Sequence, residues 1–194
     1  MPAFLNKCTR PRAVRSCARC LACLLCLALF CAALYGGWLA GLRINTTASM
    51  PKGVYRISEG RVSDGLLARG DTVEICLDGA WAQEALARGY LRPGRCESGT
   101  MPLVKTLAGL PGDEIAIEQA GDEAGIYVNG VLFPQSVIRD FDSQGRRMAS
   151  SLQAGVIPKG QALLLSAHAG GFDSRYFGLA DLRQLKKVEP LILF

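Results

Sequence analysis

Four residues of this chain are of the types that acyl-transfer chemistry uses: a serine, a lysine, a histidine and an aspartate. Ser49 lies in the segment INTTASMPKGVYRI, residues 44–57, and a serine hydroxyl becomes a nucleophile when a neighbouring base takes its proton. His168 is the only histidine of the sequence, so a Ser-His-Asp triad would require it, with Asp173 as its partner. The sequence permits this triad but contains no pattern that favours it.

Lys105 is a second candidate for the base. It lies in MPLVKTLAGLPGDEI, residues 101–115, with Leu103 and Val104 before it and Leu107 after it, a pattern typical of a buried strand. Burial disfavours the charged form of a lysine, and a lowered pKa yields a neutral amine that can accept a serine proton near neutral pH. The alternative is a lysine at a strand edge whose ammonium group extends into solvent. The residues alone support both interpretations equally.

The elements around these residues predict a mainly antiparallel β domain. Short apolar and β-branched segments follow residue 43, separated by Gly, Pro, Asp and Asn. The predicted strands lie within residues 53–57, 71–77, 102–108, 113–119, 125–134, 136–142, 161–167 and 187–194. Asn129 and Gly130 predict a hairpin with a type I′ turn, and residues 141–160 predict an exposed loop. A chain of 194 residues fits one such domain with one core, plus an anchor.

An uncharged apolar segment of 23 residues, 20–42, precedes this domain. A helix needs roughly 20 residues to cross the bilayer core, so the segment predicts a transmembrane anchor. A cleavable signal peptide is the alternative, although its apolar core is usually only about 7–15 residues long. Only six residues separate Leu42 from Ser49, which keeps this serine within about 23 Å of the bilayer.

Charge is unevenly distributed along the chain. The residues before the apolar segment contain five basic residues and no acidic residue: Lys7, Arg10, Arg12, Arg15 and Arg19. This pattern predicts a cytoplasmic tail at residues 1–19 and places residues 43–194 on the far side of the membrane. Residues 43–194 contain 17 basic and 17 acidic residues and so offer no basic face to a nucleic acid. We therefore expect a lipid bilayer, and no nucleic acid, as a partner.

The cysteines fall into two groups. Cys17, Cys20, Cys23 and Cys26 recur at every third residue, a spacing similar to that of iron-sulfur ligands. Three of the four lie in the apolar segment, where small side chains along one helix face favour packing instead. We therefore expect neither a metal nor a cofactor. S-acylation of Cys8 or Cys17 near the membrane is left open.

Cys76 and Cys96 flank a predicted helix. Asp78 is its expected N-cap, and Gly89 marks its C-terminal end. A helix that leaves and a chain that returns bring the two thiols together, so we predict a Cys76–Cys96 disulfide in an oxidising compartment. Such a disulfide would contribute about 3 kcal/mol to stability. Two free buried thiols are the alternative.

Three blocks occur in order behind the single anchor: SMPKGVYRI at Ser49, LVKTLAGLPGDEI at Lys105, and FDSRYFG at residues 172–178. Together they resemble the type I signal peptidases. The resemblance is strongest to the conjugative-transfer branch, whose TraF-like peptidases process pilin precursors. It covers nearly the whole chain and includes the segment EALARGY between the cysteines. It implies a signal-peptidase-like antiparallel β domain with one N-terminal transmembrane helix in the bacterial inner membrane.

The resemblance also assigns roles to residues. It implies that Ser49 is the nucleophile and Lys105 the general base of a Ser/Lys dyad. The oxyanion hole then consists of the Ser49 backbone N–H and the Thr47 hydroxyl. Asp173, Ser174 and Arg175 match a supporting segment held by an Asp–Arg ion pair; direct participation of Asp173 in the chemistry is the alternative.

The sequence departs from the family pattern at three places. Pro51 follows Met50 directly, and Thr106 replaces the arginine that commonly follows the lysine. Gly171 stands where many relatives carry a hydroxyl that orients the lysine, so this task falls to Ser166, Ser174 or water. We interpret His168 as a structural histidine, with a catalytic role as the alternative.

The expected function is that of a membrane-anchored serine endopeptidase that processes an exported precursor. A conjugative pre-pilin is the expected substrate, with type IV secretion machinery as a further partner. The resemblance leaves open whether the acyl-enzyme is hydrolysed or closes the pilin into a ring. A general leader peptidase and a non-catalytic, membrane-tethered assembly protein are the alternatives. A self-cleaving repressor conflicts with the anchor.

Overall fold

The computed structural model describes residues 11–46, 50–58, 67–120 and 123–194. The chain divides into two compact units, Met1–Leu42 and Arg43–Phe194. The first contains the helix α1 (Pro11–Leu39), whose segment Arg19–Leu39 has the length and the mean hydropathy, 2.3, to cross a membrane. The helix ends before Gly41, whose positive φ of 78° is a conformation that glycine adopts without strain. The helical part of the predicted anchor therefore stops three residues before Leu42.

The second unit consists mainly of antiparallel strands, which confirms the predicted fold class. A seven-stranded sheet has the order β1-β2-β11-β3-β4-β9-β10, and a four-stranded sheet has the order β7-β6-β5-β8. The strands are β1 (Leu42–Asn45), β2 (Gly53–Ile57), β3 (Thr72–Ile75), β4 (Leu103–Gly109), β5 (Glu114–Ala120), β6 (Glu123–Val128), β7 (Val131–Leu132), β8 (Gly155–Val156), β9 (Gln161–Leu165), β10 (Ala180–Asp181) and β11 (Lys186–Leu193). The interior strand β4 pairs with β3 on one side and with β9 on the other.

In the described part of the chain, two short α-helices and one 3-10 helix accompany the sheets: α2 (Gly79–Ala87), α3 (Ser174–Phe177) and Leu182–Gln184. As predicted, α2 begins after Asp78 and ends shortly before Gly89, whose φ is 75°. The Asp78 carboxylate does not cap the helix; it accepts a hydrogen bond from Gln184 Nε2 at 3.0 Å. The predicted Cys76–Cys96 disulfide is present, with the two Cα atoms 5.6 Å apart.

Among the described residues, the buried hydrophobic side chains form two clusters, so the expectation of a single core is wrong. The first cluster includes Leu103 and Leu107 of β4 and Leu164 of β9. The second includes Ala108 of β4 and Leu163 and Leu165 of β9. Successive side chains of a strand point to opposite faces. Strands β4 and β9 therefore contribute to both clusters, because both faces of the sheet are covered here.

The hairpin at Asn129 and Gly130 is confirmed. Their φ values are 52° and 78°, as a type I′ turn requires, and Val128 pairs with Val131 across the turn. The Asn129 side chain also donates a hydrogen bond of 2.9 Å to Asp113 Oδ1. The Asp113 carboxylate accepts the Leu110 N–H as well, at 2.8 Å, so the turn between β4 and β5 is fixed by side-chain contacts.

The predicted strand at residues 136–142 is absent. This segment makes only isolated bridges, at Ile138 and Phe141. Its polar groups are used elsewhere: the Val137 carbonyl accepts a hydrogen bond from Arg175, and the Ser136 hydroxyl bonds to Ile126. The predicted loop at 141–160 is mostly exposed, but it contains β8, and Leu152 and Ile157 are buried in the second cluster.

Candidate active site

Lys105 lies near the middle of β4, between Leu103 and Leu107 on the face that carries the first hydrophobic cluster. Its cross-strand partner on β3 is Val73, which is fully buried. The Lys105 residue itself is only 2% exposed. Because β4 is an interior strand, Lys105 cannot be the solvent-directed lysine of a sheet edge.

Burial lowers the pKa of Lys105 from 10.5 to about 8. The negative charge of Asp173 raises this pKa, and the positive charge of Arg175 lowers it further. At pH 7 the Lys105 side chain is then a neutral amine in about one-tenth of the protein molecules. Within the described part of the chain, no hydrogen bond or ion pair engages the Lys105 amine. The side chain therefore has the protonation chemistry of a general base.

Asp173 and Arg175 form the fully buried ion pair that the resemblance implies. Arg175 donates to both carboxylate oxygens, from Nε to Oδ1 and from Nη2 to Oδ2, each at 2.8 Å. The backbone N–H of Arg175 also donates to Oδ1 at 3.1 Å, so the carboxylate caps the N-terminus of α3. One carboxylate thus fixes both the arginine side chain and the start of the helix that carries it.

Arg175 also binds two other segments of the chain through their backbone carbonyl oxygens. Its Nη1 and Nη2 atoms donate at 3.0–3.3 Å to the carbonyls of Gln135, Val137, His168, Ala169 and Gly171. A guanidinium has donors in a fixed planar arrangement, which suits it to such a network. The segments around residues 136 and 170 therefore depend on one side chain for their position.

Two buried serines lie beside this ion pair. The Ser166 backbone N–H and hydroxyl both donate to Asp173 Oδ2, at 3.0 and 3.2 Å. The Ser174 hydroxyl instead accepts the Leu164 N–H of β9 at 2.9 Å. A Cβ atom at Gly171 would overlap the Ser166 hydroxyl and lie 2.8 Å from Arg175 Nη2. The glycine at 171 thus leaves the space that the Ser166 side chain occupies.

His168 contributes its backbone to the site. Its carbonyl accepts a hydrogen bond from Arg175, whereas its imidazole is exposed and accepts the Gly170 N–H at Nδ1, 3.2 Å away. Among the described residues, the Asp173 carboxylate makes no hydrogen bond to this imidazole. The hydrogen bond between His168 and Asp173 that a Ser-His-Asp triad requires is therefore not formed.

The predicted nucleophile Ser49 and the predicted oxyanion donor Thr47 lie outside the described residues. The residue after Ser49 is described: Met50 Sδ lies 3.8 Å from the hydroxyl of Thr106, which follows Lys105 on β4. The side chains of residues 105 and 106 point to opposite faces of the strand. Met50, the residue after Ser49, therefore contacts the strand that carries Lys105, on the face opposite to the Lys105 side chain.

Two residues that the sequence interpretation missed hold this segment. Asn45 Nδ2 donates to the carbonyls of Met50 and Pro51 at 3.1 and 3.0 Å, and the Tyr55 hydroxyl donates to Pro51 at 2.6 Å. The two Asn45 bonds connect the two sides of residues 46–49, and the Tyr55 bond connects Pro51 to β2. No local sequence pattern predicts these hydrogen bonds, because an asparagine and a tyrosine at this spacing match no turn or cap motif.

Gly53 is the first residue of β2, and a Cβ atom there would overlap the Ile192 carbonyl of β11.

An aromatic cluster covers the face of the sheet that carries Lys105. Phe172 lies with its ring centroid 5.1–6.3 Å from the rings of four other aromatic residues: Tyr90, Phe177, Tyr176 and Trp81. Trp81 belongs to α2, which lies between the two disulfide-bonded cysteines. The disulfide and the α2 helix therefore help to exclude water from the first hydrophobic cluster.

Cys20, Cys23, Cys26 and Cys31 are exposed free thiols of α1. Among the described residues, no group of three or more His, Cys, Asp or Glu side chains has an arrangement that could hold a metal ion.

A comparison with known protein families identifies the chain. The family described as signal peptidase, peptidase S26, matches residues 14–191. This chain belongs to that family. Its membership confirms the resemblance predicted from the three sequence blocks, which all lie inside the matched range.

Curated relatives from several bacteria support the same assignment. A conjugal transfer protein TraF from Agrobacterium tumefaciens (strain 15955) is 36% identical over 169 residues, which are 86% of this chain and 89% of the relative. A probable conjugal transfer protein TraF from Sinorhizobium fredii is 39% identical over 73% of this chain and 71% of the relative. A plasmid transfer protein TraF from Escherichia coli is 32% identical over 85% and 89%, respectively.

The crystal structure of a signal peptidase I from Enterococcus faecalis V583 aligns with a TM-score of 0.34 and 19% identity. The alignment covers 63% of this chain and 96% of that one.

Proposed function

We propose that this protein is a membrane-anchored serine endopeptidase that cleaves an exported precursor with a Ser49/Lys105 dyad. The observation that carries the proposal is Lys105, a 2% exposed lysine whose pKa burial lowers to about 8. A buried lysine is costly to stability, and such perturbed groups cluster at functional sites. Membership of the S26 family supports a serine peptidase, and Ser49 is bonded to Met50, which contacts the strand of Lys105.

The reaction begins with proton transfer. Neutral Lys105 takes the Ser49 proton as the hydroxyl oxygen attacks the scissile carbonyl, which forms a tetrahedral oxyanion. The Ser49 backbone N–H and the Thr47 hydroxyl donate hydrogen bonds to this oxyanion. Collapse of the tetrahedral species breaks the peptide bond, and the Lys105 ammonium returns its proton to the leaving amine. An ester between the substrate and Ser49 remains.

The ester then reacts with a second nucleophile. With water, Lys105 again acts as the base, and the products are a free carboxylate and regenerated Ser49. With an amine of the substrate, a new amide bond forms, and an amine from the same chain closes that chain into a ring. Both outcomes use the same dyad.

Asp173, Ser174 and Arg175 support this dyad without taking part in bond changes. Asp173 and Arg175 neutralise one another and hold the segments that border Lys105. Ser174 connects α3 to β9 through the Leu164 N–H. In this assignment His168 has no catalytic role, which fits its exposed imidazole.

The anchor determines where the reaction takes place. We assign residues 1–19 to the cytoplasm, 20–42 to the inner membrane and 43–194 to the periplasm. The five basic residues before the apolar segment support this orientation by the positive-inside rule. The disulfide between Cys76 and Cys96 fits an oxidising compartment. The nucleophile then faces precursors as they emerge from the bilayer.

The names of the relatives support a substrate class. Their names place the TraF proteins in conjugal or plasmid transfer, and the family is that of signal peptidases. A peptidase in that setting would process the precursor of a conjugative pilin and work beside a type IV secretion apparatus. A general leader peptidase would instead accept many exported precursors.

Mass spectrometry of a co-expressed pilin precursor tests the proposal. Wild-type protein is expected to release the leader, and Ser49→Ala and Lys105→Met are expected to leave the precursor intact. Ser143→Ala and Lys159→Met change exposed residues of the same types and are expected to process normally. Processing by Ser49→Ala at the wild-type rate would overturn the proposal and favour a non-catalytic assembly role.

The same spectra separate the finer outcomes. A mature pilin lighter by one water than the linear product indicates ring closure, and the linear mass indicates hydrolysis. Cleavage of unrelated exported precursors at the same rate would indicate a general leader peptidase.

A further inference from the structure

The dipeptide Met50–Pro51, which directly follows the proposed nucleophile, accepts hydrogen bonds from two side chains of neighbouring strands. We propose that Asn45 of β1 and Tyr55 of β2 are positioning residues that fix Ser49 through this dipeptide. Both act on the two residues after the nucleophile rather than on the reacting atoms. The inference rests on the proposed function, because it concerns how the nucleophile of that reaction is held in reach of its base.

Asn45 directs the NH2 group of its side chain at this dipeptide. Its Nδ2 atom donates to the Met50 carbonyl at 3.1 Å and to the Pro51 carbonyl at 3.0 Å. Because both partners are acceptors, the nitrogen end of the side-chain amide must face them, which fixes the direction of the amide. The two carbonyls lie five and six residues after Asn45 in the chain. One side chain therefore fixes the end of the short segment that contains Thr47 and Ser49.

Tyr55 gives the Pro51 carbonyl a second donor. The Tyr55 hydroxyl donates to this oxygen at 2.6 Å, so that together with the Asn45 bond both lone pairs of the carbonyl are used. Tyr55 is only 3% exposed, and it lies in β2 opposite Pro190 of β11, inside the seven-stranded sheet. Burial raises the pKa of the Tyr55 hydroxyl, which therefore remains a protonated donor at neutral pH. The carbonyl is thus bonded to a side chain that the sheet holds in place.

Burial alone does not hold the dipeptide, because Pro51 and Lys52 are exposed and Met50 is only half-buried. The backbone is stiff instead, since a proline fixes its own φ at about −65° and restricts the residue before it. A stiff dipeptide whose two carbonyls are both hydrogen-bonded has little freedom to move. Consecutive Cα atoms are about 3.8 Å apart, so Ser49, the residue before Met50, shares this restraint.

The position of the Ser49 hydroxyl matters because it must reach both its base and the scissile carbonyl. A misplacement of about 1 Å in a catalytic group can lower the rate by about 100-fold. Loss of these hydrogen bonds is therefore expected to slow the chemical step and to leave substrate binding largely unchanged. The larger loss is expected for Asn45, which bonds to two carbonyls, and the smaller for Tyr55, which bonds to one.

The test compares variants of the full-length protein in detergent micelles, with purified pilin precursor as substrate. Asn45→Ala is expected to lower kcat by about 10- to 100-fold and Tyr55→Phe by about 3- to 10-fold, each with KM within about twofold of wild type. Tyr90→Phe is the matched control. It also removes a hydroxyl that donates a hydrogen bond of 2.6 Å, but to Asp142, and it is expected to keep kcat within about twofold.

Asn45→Asp separates the hydrogen bonds from the space that the side chain fills. A carboxylate has nearly the size of the amide but cannot donate, so this variant is expected to lose at least as much kcat as Asn45→Ala.

The pH profile distinguishes a positioning role from general damage to the fold. Lys105 stays buried in Asn45→Ala, so the rise of kcat/KM with pH is expected to keep its midpoint near pH 8 while the rate falls by the same factor at every pH. A loosened domain would expose Lys105 to water, and the midpoint would move toward the ordinary lysine pKa of 10.5. Such a shift would overturn the positioning role.

The remaining outcomes separate this inference from the proposed function. Equal kcat for Asn45→Asp and wild type, or equal kcat for Tyr55→Phe and Tyr90→Phe, would overturn the positioning role while Ser49→Ala stays inactive. Cleavage by Ser49→Ala and Lys105→Met at the wild-type rate would instead overturn the proposed function.

Discussion

Two buried cations near one another on the same side of the sheet have opposite environments. All three guanidinium nitrogens of Arg175 donate hydrogen bonds, to Asp173 and to five backbone carbonyls. Lys105 is buried to a similar extent, but no such partner surrounds its amine in the described part of the chain. Arg175 orders the segments around it, whereas burial lowers the pKa of Lys105 to about 8.

Arg175 is therefore an example of a buried charge with a structural use, and Lys105 of one with a chemical use. A fully hydrogen-bonded arginine does not deprotonate in proteins, so it suits a permanent support. A lysine without compensating partners changes its protonation state near neutral pH, so it suits proton transfer. Replacing Lys105 should therefore lower activity and raise stability, whereas replacing Arg175 should lower stability.

The largest expected effect is the loss of activity in Lys105→Met. Without a base, the Ser49 hydroxyl stays protonated, and kcat/KM for precursor cleavage is expected to fall about 1,000-fold or more. Lys159→Met, at an exposed lysine, should remain within about twofold of wild type. Cleavage by Lys105→Met at more than a tenth of the wild-type rate would contradict the role of this lysine.

Arg175→Met is expected to act on the fold. It leaves the Asp173 carboxylate buried without its counter-ion, and loss of one partner of a buried pair typically costs about 3–5 kcal/mol. Lys105→Met removes an uncompensated buried cation and is expected to raise the free energy of unfolding by about 1–3 kcal/mol. Thermal unfolding in detergent micelles measures both. Similar changes of the same sign would show that the two cations do not differ in role.

Gly171→Ala tests how closely the Arg175 network is packed. The new methyl group would overlap Ser166 Oγ and crowd Arg175 Nη2, and such overpacking is expected to cost about 1–3 kcal/mol. Gly170→Ala is the matched control, because its Cβ would meet only the movable imidazole of His168, at 3.3 Å. Equal melting temperatures for the two variants would mean that the network tolerates a side chain at 171.

The pH dependence of cleavage reports on Lys105. Because the neutral amine is the reactive form, kcat/KM is expected to rise about tenfold from pH 7 to 9 and to level off above the pKa of about 8. Stability follows the same group: its folded pKa lies below its unfolded value of 10.5. The unfolded state therefore binds more protons between pH 8 and 10.5, and stability rises with pH in that range. A rate that is flat across pH 7–9 would argue against a lysine base.

The smallest expected effect is that of His168→Ala. The imidazole is exposed, and its backbone carbonyl, which contacts Arg175, is retained in the variant. Activity should stay within about twofold of wild type at every pH tested. A loss as large as that of Lys105→Met would move the catalytic base from the lysine to the histidine.

The sequence was sufficient to predict features that depend on neighbouring residues. The apolar residues around Lys105 predicted its strand, Asn129-Gly130 predicted its hairpin, and the helix between Cys76 and Cys96 predicted the disulfide. Each of these signals lies within about twenty residues of chain.

Features that depend on distant residues were not predictable. The strand expected at 136–142 is absent because the Val137 carbonyl bonds to Arg175, 38 residues away in sequence. The second core arises because β4 and β9 become covered on both faces, which no local pattern reveals. Asn45 and Tyr55 became visible only through their bonds to Met50 and Pro51.

The central claim, that burial lowers the pKa of Lys105 to about 8, can be tested directly by NMR. Full-length protein with ¹³C-labelled lysine side chains would be titrated in detergent micelles, and the Lys105→Met variant would identify the Lys105 signal. One lysine signal, absent from the variant, is expected to titrate near pH 8. Titration of every lysine signal at or above about pH 10, the ordinary range for lysine, would contradict the claim.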